Sequence, residues 1–192
     1  MSADIEGVLR EMSLAEPESV IRFLRKGDRI RKSAGVSYII DDAEIYKQLG
    51  EWKDGEELYK SIINYFNSEE RGRLFGLCGN GEEVCFSEVL KLKRGECLEK
   101  SILFQLALQD RNLCYLVRGI VQEPNQKYGI LHAYNIFFSG RKGHLVDIQN
   151  PLVDNNGGIV PFTAPITGIN DSGFFIFDKG FLRSEVFGLC SG

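Results

Sequence analysis

The hydrophobic pattern of this chain changes period at Arg111-Asn112. Ahead of that point Leu98, Ile102 and Leu106 recur at every fourth residue, flanked by Leu103 and Ala107, the spacing of one helix face. The pattern turns Glu99, Lys100, Gln105, Gln109 and Asp110 away from the core. Beyond it come three runs dense in β-branched and aromatic residues: LCYLVRGIV (113–121), ILHAYNIFF (130–138) and HLVDI (144–148). Turn-forming segments at 122–129 and 139–143 separate them, and Asn150-Pro151 ends the third. A buried helix followed by strands on short turns predicts an α+β fold with an antiparallel sheet, not alternating βαβ units.

The first half reads as mainly helical. Apolar spacing predicts one helix from residue 4 and a second beginning near Pro17, then a short strand at 36–40. Helices follow at 43–49 and 56–66, a Gly-rich charged loop at 67–81, and a short segment at 87–92 leading to Gly95. Short strands at 159–162 and 173–178 complete the pattern. At 192 residues, 43% hydrophobic and 26% charged, the composition predicts one globular domain over 1–192. Its helical part would span 1–86, and the sheet and its preceding helix 87–192.

A net charge of −4 weighs against nucleic acid as a partner, and the basic run RFLRKGDRIRK (22–32) reads as a solvated helix face. The N-terminal residues show no signal-peptide pattern, and no apolar run reaches the ~20 residues of a membrane span. A cytoplasmic location is therefore expected, with non-classical secretion left open, and no membrane partner. Five cysteines (78, 85, 97, 114 and 190) lack the C-x₂-C spacing of a zinc site, so neither metal nor cofactor is expected. Of these, Cys85, Cys114 and Cys190 read as packed in apolar surroundings.

Cys97 differs from the other four. It follows Gly95-Glu96 and precedes the apolar stripe, so it falls in the first turn of the predicted helix. Unpaired backbone N–H groups and the positive end of the helix dipole favour a thiolate there. Gly95 would let the backbone approach a substrate, and the Cys97 N–H would supply half an oxyanion hole. Two histidines could serve as its base. His132 lies within an apolar strand, where an imidazole needs a partner; His144 reads as exposed at a strand start. Asp147, between Val146 and Ile148, needs a partner as well. The hairpin sets a condition on their meeting. A symmetric five-residue loop at 139–143 would put Asp147 opposite Asn135, on the face away from His132. A triad requires a register one residue different, with Tyr134 opposite Asp147, or a bulge.

The segment KRGECLEKSILFQLALQDRNLCYLVRGIV, with HAYNIFF and HLVDIQNP after it, resembles the core of the transglutaminase-like superfamily. The matched stretch is roughly 87–151, and its second motif has Tyr134 where the family commonly has tryptophan. The resemblance implies a papain-like core with N-terminal helices packed on an antiparallel sheet. It makes Cys97 the nucleophile at a helix N-terminus, His132 the base and Asp147 the orienting carboxylate. It implies acyl transfer through a thioester, most simply hydrolysis of a peptide or amide bond in a protein, peptide or small amide substrate. A transglutaminase or acyltransferase using an amine acceptor is one alternative, and a non-catalytic interaction domain another.

Overall fold

The computed structural model describes residues 4–33, 35–42, 44–66, 82–122, 130–169, 175–177 and 185–187. It is a mixed α+β fold built from a large antiparallel sheet, a small mixed sheet and a few helices. Helix α1 (Ile5–Ala15) starts where the Asp4 carboxylate accepts from the Gly7 N–H at 3.0 Å, and it buries Ile5 and Leu9.

No second helix follows. After a turn at 17–19, β1 (Val20–Ile21) pairs with β5 (Cys114–Gln122). The reason is long-range: side-chain amides take up the backbone of this segment. Gln109 accepts from the Leu24 N–H and donates to the Leu24 carbonyl, both at 2.8 Å, and Gln105 donates to the Arg22 carbonyl at 2.6 Å. These groups are thereby satisfied without a helical ladder.

The basic run at 22–32 is likewise not a helix face. It turns at Gly27 (φ +92°) and enters β2 (Arg29–Ser33), which pairs with β3 (Val36–Ile39). Strand β4 (Glu82–Cys85) adds in parallel to β3, completing a small three-stranded sheet. The expected helix at 43–49 is a 3₁₀ turn, Ile45–Leu49. Helix α2 (Gly55–Tyr65) begins at Asp54, whose carboxylate accepts from the Glu56 and Glu57 N–H groups. A short α3 (Phe86–Lys91) precedes the central α4 (Cys97–Leu108). The predicted loop at 67–81 lies outside the described residues.

The larger sheet runs β1-β5-β6-β7-β8-β9, with β10 also on β5. Its strands are β6 (Ile130–Ser139), β7 (Lys142–Val153), β8 (Ile159–Ile169), β9 (Phe175–Phe177) and β10 (Glu185–Phe187). Strand β7 therefore runs past Asn150-Pro151, and β8 is far longer than the apolar run at 159–162 suggested. One core lies between this sheet, α2, α3, α4 and the small sheet; a second gathers α1 with Tyr115, Tyr134, Ile136, Phe138 and Phe162. No helix among the described residues is long and apolar enough to cross a membrane.

Every residue of α4 from Leu98 to Leu108 is buried. Its polar residues therefore do not face away, as helical periodicity alone suggested; only Asp110, past its end, is exposed. The helix has neighbours on all sides: β5, β6 and β7 against one flank, α2 and the 3₁₀ turn against another. Its glutamines point inward because backbone groups of 22–24 and β5 await them there.

Candidate active site

The hairpin register decides whether the three residues can meet. The turn is two residues, Gly140-Arg141, between the pair Ser139 and Lys142, and Gly140 holds φ +61° where a type II′ turn places glycine. The five-residue loop is thus replaced by a tight turn, and the register moves by one. Asn135 lies opposite Val146 and Ile136 opposite Leu145, a register in which Tyr134 stands opposite Asp147. His132 and Asp147 consequently share a face, as the triad requires. His132 Nε2 and Asp147 Oδ2 are 2.9 Å apart, and the Tyr134 ring stacks beside the imidazole at 6.2 Å.

Asp147 stands where the β7–β8 ladder slips, between the pair Asp147–Phe162 and the pair Leu152–Val160. Such an irregularity bends a strand and frees backbone donors. Here the freed donors converge on one carboxylate. Asp147 Oδ1 accepts from the N–H groups of Gln149 (2.9 Å) and Asn150 (3.3 Å), and Oδ2 accepts from Asn150 Nδ2 (2.9 Å) in addition to His132. Tyr59 of α2 closes the other side. Its hydroxyl donates to the Asp147 carbonyl and accepts from the Phe162 N–H, bridging the slipped ladder. The same bend brings Gln149 Oε1 to the Lys100 ammonium of α4 at 2.9 Å, tying this end of β7 to the helix that carries Cys97.

Cys97 is the first residue of α4 and half-buried at the margin of the first core. Its helix start is held by Glu99, which accepts from the Glu96 N–H at 2.8 Å. Gly95 has a packing reason to be glycine. A Cβ there would lie 2.6 Å from the buried Phe66 ring and 3.0 Å from Glu99 Cβ, so glycine lets α4 seat against α2. The thiol makes itself felt at His132. Burial alone would lower the pKa of this imidazole, but the hydrogen bonds and charges of Asp147 and Cys97 outweigh it and push it up to about 10. With Nε2 engaged by Asp147, Nδ1 is the ring nitrogen left for the thiol. Asp147 moves the opposite way: burial would raise it, and the hydrogen bond and charge of His132, with Asn150 and Gln149, hold it below the usual carboxylate range.

The remaining candidates separate clearly. His144 is half-buried in β7, not exposed, and its pKa is lowered by burial and by the Lys142 charge. Cys85 is exposed, against the apolar surroundings expected of it, because the strand β4 ends there at the rim of the small sheet. Cys114 is fully buried, and burial pushes its thiol up to about 12. Cys78 and Cys190 lie outside the described residues. Among those described, no group of three or more His, Cys, Asp or Glu side chains is placed to hold a metal ion. Tyr59, Asn150 and Gln149 had no sequence signal. No protein-family model, curated protein or solved structure matches the chain.

Proposed function

We propose that the chain is a transglutaminase-like, thiol-dependent acyl-transfer enzyme that hydrolyses a peptide or amide bond through Cys97, His132 and Asp147. The observation that carries this reading is His132, held at Nε2 by a carboxylate whose four acceptor contacts leave it no freedom, with the Cys97 thiol acting on the same ring. A nucleophile, a base and an orienter so arranged have the relation that covalent catalysis needs. Cys97 sulfur attacks the acyl carbon, the C–S bond forms, and the departing amine takes its proton from the His132 imidazolium. Water then attacks the thioester, giving a proton to His132 as the carboxylic acid leaves and Cys97 is restored. Asp147 fixes the ring and stabilises its charged form throughout. The Cys97 N–H, in the first turn of α4, is the backbone donor nearest the attacking atom in sequence.

The test is covalent trapping. The protein is incubated with p-nitrophenyl acetate and with a panel of peptide amides, quenched in acid, and examined by intact mass and peptide mapping. An acyl adduct on Cys97, lost in Cys97→Ala and depleted in His132→Ala, is the expected result. Added amine that diverts the acyl group from water would make the enzyme a transferase. No adduct with any donor, or one equally distributed over Cys85 and Cys97, favours a non-catalytic interaction domain.

A further inference from the structure

Lys32 belongs to the basic run at 22–32, yet it behaves unlike its neighbours. Arg29 pairs with Glu83 on the surface, both largely exposed. The side chain of Lys32 is only 13% exposed, and its ammonium meets Glu99 Oε1 at 2.7 Å and Glu96 Oε2 at 3.4 Å. The backbone explains the difference. The β2–β3 ladder pairs Arg31 with Ser37 and then Ser33 with Val36, so Lys32 is the extra residue of a β-bulge. Bulges re-aim a side chain and are common beside functional sites. Lys32 is also two residues from the buried Ile30, which places both on the inward face of the strand.

The target of this inward lysine is the first turn of α4. Glu99 is 0% exposed and accepts from three sources: the Lys32 ammonium, the Tyr38 hydroxyl of β3 and the Glu96 N–H. A buried ion pair is a poor device for stability, because removing both charges from water costs about as much as their attraction returns. This one fastens Glu96, just before Cys97, and Glu99, two residues after it, in the helix start. Resting on the reading of Cys97 as a nucleophile, we infer that Lys32 is a positioning residue, which locks the α4 N-terminus through Glu99 and Glu96 and holds a cation against the turn that carries Cys97. Its charge is secure there. Burial opposes the ammonium, but Glu99, Glu96 and Cys97 outweigh it and keep Lys32 protonated. The charged groups that meet at this helix start are Lys32 from β2 with Glu96 and Glu99; His132 from β6, with Asp147 behind it, bears on the thiol.

The rate of Cys97 alkylation by iodoacetamide, followed by peptide mapping from about pH 5 to pH 10, tests this without any acyl substrate. Loss of a cation near a titrating group is worth about one pH unit. Lys32→Gln, which keeps a donor for Glu99, is therefore expected to slow Cys97 alkylation roughly tenfold at pH 7 and to match wild type at the alkaline end. Lys32→Arg restores the rate. Glu99→Gln changes it in the opposite direction, because the lysine charge is no longer offset. A lysine that merely braces the fold predicts that both Gln variants slow alike at every pH, and that outcome overturns the inference. So does a Lys32→Gln profile that overlays a His132-dependent wild-type profile, with the reading of Cys97 left standing. A wild-type profile unaffected by His132→Ala overturns both. If Lys32→Gln fails to fold by near-ultraviolet circular dichroism, the sign of the Glu99→Gln effect alone decides.

Discussion

Replacing Asp147 with asparagine keeps the shape of the side chain and removes the charge that holds His132. In the native chain the imidazole rises from 6.5 to about 10, which corresponds to about 5 kcal/mol of preference for the charged ring. Asp147 is the first of the two groups that raise it, and without that charge only Cys97 opposes burial. The His132 pKa is expected to fall by about 1–3 pH units. Stability falls too. Asparagine presents an amide group where the native oxygen accepted from Asn150 Nδ2 and His132, and breaking a buried pair costs about 3–5 kcal/mol.

The sign of the pH dependence follows from the two shifts. His132 is raised, so its contribution is complete below about pH 6.5 and is lost as pH climbs through about 10. Asp147 is lowered, so its contribution is complete above about pH 4 and is lost as pH falls through its depressed value. Between those limits stability is level, and Asp147→Asn lowers that plateau. The assay is unusually clean because the chain has two histidines, and they shift oppositely: His144 downward, His132 upward. Two imidazole resonances followed by proton–carbon NMR across pH, with urea unfolding at each pH, give both quantities. A wild-type His132 that titrates near 6.5, or one that Asp147→Asn leaves in place, refutes the reasoning.

Two further substitutions address residues that hold the site from behind. Tyr59→Phe removes the hydroxyl that bridges the Asp147 carbonyl and the Phe162 N–H; it is expected to cost about 1–3 kcal/mol in urea unfolding and to lower thioester formation. Wild-type stability and unaltered acylation in that variant would leave Tyr59 with no part in placing Asp147. Gly95→Ala forces a methyl group against the Phe66 ring, and a loss of about 1–3 kcal/mol in thermal melting is expected. An unchanged melting temperature would show that α2 and α4 can part without penalty.

Helix α4, strands β5 to β7 and the pairing of His132 with Asp147 were legible because each leaves a local mark. The helix has its four-residue spacing, the strands their β-branched runs, and His132 and Asp147 are polar groups stranded in apolar strands. The second N-terminal helix failed for the opposite reason: the amides of Gln105 and Gln109, more than eighty residues away, take the backbone of 22–24. Lys32 reads as surface charge when RFLRKGDRIRK is taken for a helix face, whereas in a strand alternation from the buried Ile30 turns Lys32 inward.

Chemical identity and local period were determined by the sequence alone: an α+β plan, a cysteine opening a helix, an imidazole and a carboxylate needing each other. It also set out the registers open to the hairpin. Which one forms was decided in three dimensions, where the Gly140-Arg141 turn, the slipped β7–β8 ladder and the Tyr59 hydroxyl act together. The physical reason is that a one-residue slip costs little locally but carries every side chain of the strand to the other face. Only the packed sheet distinguishes the two, by burying Val146 and Ile148 on one side and joining Asp147 to His132 on the other.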